Sequence, residues 1–235
     1  MISEFPTLPD HFLVWIFGII LPFLSGLQSD KLNGEIQFDA ASRKKLYLGN
    51  SIMLATAGFI IVALWYFKGR SWQSMGFQLP DWKNRDIVII SIVTLSVGYL
   101  ADLVFTYLYE RKEKEQWFDR SSFLPHGYGE LPAYILLCLS AGIFEEIIYR
   151  GFMVNYFMED GMSEIPWTAI IVPAVLFSLA HFYQGWAAVM KISVLAILLN
   201  LIFIYTQSIY PTMIIHFSID LISGVAGMKK FRDQS

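Results

Sequence analysis

Phe144-Glu145-Glu146-Ile147-Ile148-Tyr149-Arg150 is the stretch on which the fold turns. It sets two adjacent carboxylates and a guanidinium inside an apolar run. That run enters through Leu131 to Cys138 and leaves through Gly151-Phe152-Met153-Val154. At membrane depth an ionisable side chain costs roughly 2.5–3.5 kcal/mol on insertion scales. A segment that keeps three of them must pair them, neutralise them or use them.

The surroundings of this stretch say which solvent the chain is built for. Of 235 residues, 55% are hydrophobic and 16% charged, with a mean hydropathy of +0.50. A soluble domain is about a quarter charged. The apolar residues fall into blocks from about His11 to Leu27, Leu46 to Phe67, Ile87 to Tyr109, Leu131 to Phe157, Pro166 to Tyr183, Trp186 to Tyr205 and Ile209 to Met228. Most approach the roughly 17–25 residues of a spanning helix. The expected fold is all-α: one membrane domain over residues 1–235, a polytopic transmembrane helical bundle of about seven spans. A polar active-site cavity is expected between spans four, five and seven, within the half at 131–228 that carries the motifs. Pro22 in the first block should kink a membrane helix rather than end it. Met1 to Asp10 holds no Lys or Arg to open a signal peptide, so the first block is read as a retained span.

Charge and cysteine usage narrow the function. A net charge of -3 without a basic, aromatic-interleaved stripe argues against nucleic acid as a partner. The single cysteine, Cys138, allows neither an intrachain disulfide nor a cysteine zinc cluster and reads as a packing residue. Lys31, Arg43, Lys44 and Lys45, then Arg111, Lys112, Lys114 and Arg120, then Lys229, Lys230 and Arg232 all fall on one side if the spans alternate. Lys68, Arg70, Lys83 and Arg85 fall on the other. Positive residues gather on the cytoplasmic side, so the expected orientation is N-out and C-in. Met75-Gly76-Phe77 and Pro80-Asp81-Trp82 suit an interfacial loop.

Few ionisable groups remain within the later blocks, and their spacing is helical. Residues four apart share a helix face. Glu146 therefore meets Arg150, and His216 meets Asp220. Glu145 lies about 100° around the helix from Glu146 and faces the bundle interior. His181 sits in the fifth block. Together Glu145, His181, His216 and Asp220 can activate a water and stabilise an oxyanion. Glu145, His181 and His216 also offer ligands for one divalent metal such as zinc. Each group has a bland reading as well: a carboxylate as a hydrogen-bonding residue, a histidine as core, a Glu/Arg pair as a helix lock. Their recurrence on three costly apolar helices favours function. Other polar groups weigh less. Lys191 can snorkel, His11 and His126 suit the interface, and Asp102 suits either the site or a water-filled cavity. Asn200 and Gln207 can hydrogen-bond between helices. Ser140 and Ser178 lack a Gly-x-Ser-x-Gly setting, and there is no His-Glu-x-x-His.

Glu145-Glu146-x-x-x-Arg150, Phe177-x-x-x-His181 and His216-x-x-x-Asp220, in this order and each in an apolar helix, resemble the CPBP family (CAAX proteases and bacteriocin-processing enzymes, also called Abi). It includes the type II CAAX prenyl endopeptidases. The resemblance covers about Leu131 to Met228. It implies an intramembrane endopeptidase in which Glu145 and His181 activate water and His216 with residue 220 stabilises the oxyanion. Glu146, Arg150 and Phe177 would support them. The family is commonly called metalloprotease, and a metal-free glutamate mechanism has also been argued for it. It often has asparagine at the position of Asp220. An ionised aspartate cannot donate to an oxyanion, so Asp220 would act through His216 or hold a proton. The expected partners are the lipid bilayer and a membrane-embedded or lipid-linked protein or peptide substrate. The expected place is a bacterial cell membrane, where members of this family serve bacteriocin maturation or immunity. Two rival readings keep the same residues: a non-catalytic immunity or scaffolding protein, and a proton-coupled transporter.

Overall fold

The computed structural model describes residues 5–32, 39–110, 123–158 and 166–232. Lys31 lies in a helix whose side chains there are not described, as do Lys229, Lys230 and Arg232. Arg111, Lys112, Lys114 and Arg120 lie outside the described residues.

Seven helices and no strand make up the described chain. Helix α1 runs through Leu8–Trp15, a wider π-helical stretch at Ile16–Ile20, and Leu21–Leu32. The π stretch lies just ahead of Pro22, which has no N–H and crowds the carbonyl four residues back. The helix absorbs this by widening, and it does not break. Helix α2 is Ala40–Phe67, α3 Arg85–Glu110, α4 Leu131–Phe157, α5 Trp167–Ala180, α6 Trp186–Thr206 and α7 Tyr210–Arg232. Five stretches are long and apolar enough to cross a membrane: Leu8–Leu27, Ala40–Phe67, Leu131–Phe157, Trp186–Thr206 and Tyr210–Met228. Large apolar side chains such as Phe12, Phe23, Ile52, Phe59, Leu136, Val194 and Ile214 point outward along them. A soluble surface does not carry such a coat, whereas a lipid-facing one does. The chain is an integral membrane protein.

Helix α5 departs from the expected span. Its 14 residues reach about 21 Å at 1.5 Å per residue, short of the roughly 30 Å hydrocarbon core. It stops at His181, and a single 3-10 turn at Phe182–Gln184 carries the chain into α6 through Gly185 at φ 88°. The Tyr183 N–H donates to Ser25 Oγ (3.1 Å), tying this turn to α1.

Packing sets α2 against α4, α3 along α6, and α5 between α1, α4 and α6. Helix α7 rests on α4 and α6. The α4–α7 contact is intimate because of Gly142. A Cβ there would stand 3.1 Å from both Met213 O and Phe217 N, which are backbone atoms of α7. Part of the loop after α2 packs into the bundle. Met75 is fully buried beside Gly151, and Gly76, at φ 90°, accepts from Ile209 N at 3.0 Å. Ser208 Oγ donates to Gln78 O (2.6 Å), and Asp81 N to Thr206 O (2.8 Å). Trp72 and Trp82 stay exposed. Lys191 does not simply snorkel, since it forms an ion pair with Asp102 that joins α6 to α3. Asp102 thus has a partner away from the motif residues. Cys138 is buried against Tyr47 and Tyr134.

Candidate active site

The site is assembled on α4, where the backbone is π-helical over Ala141–Glu145 and Ile147–Val154. A π-helix takes more residues per turn, so successive side chains diverge less than on an α-helix. On this helix Glu145 and Glu146 both approach the same imidazole. His216 Nδ1 lies 2.7 Å from Glu146 Oε1, while His216 Nε2 lies 3.7 Å from Glu145 Oε2 and 3.6 Å from Asp220 Oδ2. His216 is 4% exposed, and the Asp220 side chain, at 34%, is the most open of the group.

Arg150 anchors the other side of Glu146. Its Nη1 donates to Glu146 Oε1 at 2.8 Å, in a pair whose side chains are both fully buried. Its Nε donates to Asn200 Oδ1 at 3.1 Å, and its guanidinium lies 4.8 Å over the Phe177 ring. Asn200 Nδ2 donates to Ile170 O at 2.7 Å. Two buried oxygens, Glu145 Oε2 and Glu146 Oε2, have no hydrogen-bond partner among the described residues. Buried polar atoms are rarely left so.

His181 joins the cluster through an aromatic ring and makes no direct bond to Glu145. Its Nδ1 donates to Phe177 O (2.8 Å), which leaves Nε2 with its lone pair. Phe177 lies between the imidazoles, with ring centroids 4.7 Å from His181 and 5.8 Å from His216. Tyr183 stacks on the far side of His181 at 6.2 Å. The short α5 is what delivers His181 to this level.

Three contributors were not singled out from the sequence. Tyr134 Oη donates to Asp220 O at 3.0 Å, and Tyr99 Oη to Ile219 O at 3.1 Å. Gly224 makes the first possible, because a Cβ there would fall 2.0 Å from the Tyr134 ring. Tyrosines in apolar runs carry no sequence signal for such a role. Pro173 inside α5 is the third, since it removes the N–H that would satisfy Ala169 O, beside the carbonyl that Asn200 holds.

The imidazoles have the backing that metal-bound histidines use, each held at Nδ1 by an oxygen. Their spacing is another matter. Among the described residues no three His, Cys, Asp or Glu side chains gather closely enough to hold a metal ion.

The fold and this cluster define a class: a helical integral membrane protein with an over-supply of buried carboxylates around one imidazole, beside a second imidazole with a free nitrogen. Residues 127–222 match the family model for type II CAAX prenyl endopeptidase Rce1-like proteins, which supports the CAAX protease (CPBP) family. The match takes in α4 to the middle of α7 and every residue of the cluster. No curated protein and no solved structure matches the chain.

Proposed function

We propose that the protein is an intramembrane endopeptidase in which Glu145 activates the attacking water. The observation that carries this reading is the unpartnered Glu145 Oε2, 3.7 Å from His216 Nε2 and buried in a cluster that already satisfies Arg150 elsewhere. A carboxylate so placed is free to take a proton, and on this reading the water lies between it and His181 Nε2.

In the first step Glu145 removes a water proton as the oxygen attacks the scissile carbonyl. The carbonyl π electrons move onto oxygen. His216, protonated at Nε2 and held at Nδ1 by Glu146, donates Nε2–H to that oxyanion. The gaps of 3.6 and 3.7 Å to Asp220 and Glu145 exceed hydrogen-bond reach, which leaves Nε2–H available to the substrate. Asp220 stabilises the imidazolium by charge and does not touch the oxyanion. When the tetrahedral intermediate collapses, the C–N bond breaks and Glu145 returns its proton to the leaving amine. Phe177 and Arg150 keep the two imidazoles and Glu146 in place.

The substrate is read as a membrane-embedded or lipid-linked protein or peptide. The orientation is read as N-out and C-in, from the side on which Lys and Arg gather. Cleavage tests the reading. Protein in lipid nanodiscs is given a farnesylated CAAX-terminated peptide or an unmodified single-span peptide, with products weighed by mass spectrometry. Cleavage of either by the native chain, lost in Glu145→Ala and in His181→Ala, supports the reading. Equal rates for all three proteins would sink it.

A further inference from the structure

We propose that Asn200 is a positioning residue of this site, acting through Arg150 and Glu146 on the His216 imidazole; this rests on the hydrolytic reading above. Asn200 sits fully buried in α6, a helix whose neighbouring residues are apolar. A buried amide there costs stability unless its groups are bonded, and both ends are. Nδ2 takes the carbonyl of Ile170 on α5, and Oδ1 takes Nε of Arg150 on α4.

The consequence lies in the rigidity of the guanidinium. Its donors form a fixed planar fork, so fixing Nε fixes the direction of Nη1. Nη1 donates to Glu146 Oε1, the same atom that accepts from His216 Nδ1 at 2.7 Å. Among the described residues Glu146 Oε2 has no geometric hydrogen-bond partner, and Thr212 is the one other side chain close enough to bear on the carboxylate. The orientation of His216 therefore depends on a chain of bonds that begins at Asn200, one helix away from any reacting atom. The plainer alternative is that Asn200 only fastens α6 to α5 through Ile170.

Two variants separate the cases. Asn200→Asp keeps an acceptor for Arg150 and loses the donor to Ile170, whereas Asn200→Ala loses both. The readout is the rate at which diethyl pyrocarbonate modifies His216, followed by mass spectrometry, with His11 as an internal control. His11 is remote from the cluster and bonded to Tyr156. Asn200→Ala should speed modification of His216 about fivefold, corresponding to roughly 1 kcal/mol of lost coupling. His11 should not change, and Asn200→Asp should stay near the native rate. In a Glu146→Gln background Asn200→Ala should add nothing further. Should Asn200→Ala fail to fold, Asn200→Ser takes its place in each comparison. Equal acceleration in the Asp and Ala variants, no change at His216, or an additive effect on Glu146→Gln would each overturn the proposal. No turnover is needed for this labelling. A chain that cleaves neither peptide would therefore defeat the hydrolytic reading while the labelling still decides the role of Asn200.

Discussion

Buried charge occurs in two settings in this molecule, and they are solved differently. Toward the ends of the bundle, Arg70 meets Asp10 through Nη1–Oδ1 at 2.8 Å and Nη2–Oδ2 at 2.6 Å, and Arg43 meets Glu130 through Nε–Oε2 at 2.6 Å and Nη2–Oε1 at 3.0 Å. Each carboxylate has its own arginine, in the two-pronged geometry that such pairs favour. In the centre, Glu145, Glu146 and Asp220 surround one imidazole, and one arginine serves only Glu146. In the end pairs both carboxylate oxygens are bonded, even though Arg70 Nε is not, and these pairs hold helices and loops together. The central cluster leaves carboxylate oxygens unbonded and an imidazole nitrogen short of a partner, which is the state expected of groups that exchange protons with a substrate.

The comparison breaks most readily at Arg150. Replacing it with methionine leaves Glu146 buried and unpaired, and removal of one partner of a buried pair costs about 3–5 kcal/mol. Thermal unfolding in detergent should fall accordingly, and cleavage should be lost with it. At the end pair the expectation differs. The double variant Asp10→Leu with Arg70→Met removes both charges, so it should lose far less stability than either single change and leave the catalytic constant as it was. A double variant that abolishes cleavage in a folded protein would erase the distinction between the two settings.

A smaller effect is expected at Gly142. An added methyl meets α7 backbone atoms, which cannot rotate aside, and overpacking of this kind costs about 1–3 kcal/mol. Because it pushes α7 from α4, Gly142→Ala should lower the catalytic constant more than it raises KM. The smallest effect is the pH response of an end pair. Burial pushes the Glu130 carboxyl up, but the Arg43 hydrogen bonds and charge outweigh it and hold the group below its ordinary value of 4.5. A depressed carboxyl stabilises the fold above the ordinary value, and that contribution fades as pH falls through the folded one. Stability should hold from neutral pH to the upper edge of the carboxylate range and drop below it. Glu130→Gln should be less stable at neutral pH and show a flatter acid limb in unfolding titrations.

Spacing carried much of this into view before any coordinates. The apolar blocks gave the helices, and four-residue intervals paired Glu146 with Arg150 and His216 with Asp220. What spacing could not carry was winding and distance. An α-helical reading separates Glu145 from Glu146 by about 100°, yet on the partly π-helical α4 both lie close to His216. That Glu146 holds His216 Nδ1 depends on the close α4–α7 approach at Gly142. Arg70 lies 60 residues from Asp10, and Arg43 lies 87 from Glu130, so neither pair leaves a local pattern. The early stop of α5 at His181 was hidden because Phe182 and Tyr183 continue its apolar run.

The central claim is that Glu145 is the base. Its most direct test is the single-turnover rate of whichever peptide the native chain cleaves, measured for the native protein and for Glu145→Gln with a chelator present. Glutamine keeps the shape and loses the basicity, and general-base catalysis contributes about 10²–10⁴-fold. The account predicts a loss of that size at unchanged peptide affinity, with the native rate untouched by the chelator. A Glu145→Gln protein that cleaves at the native rate would contradict it.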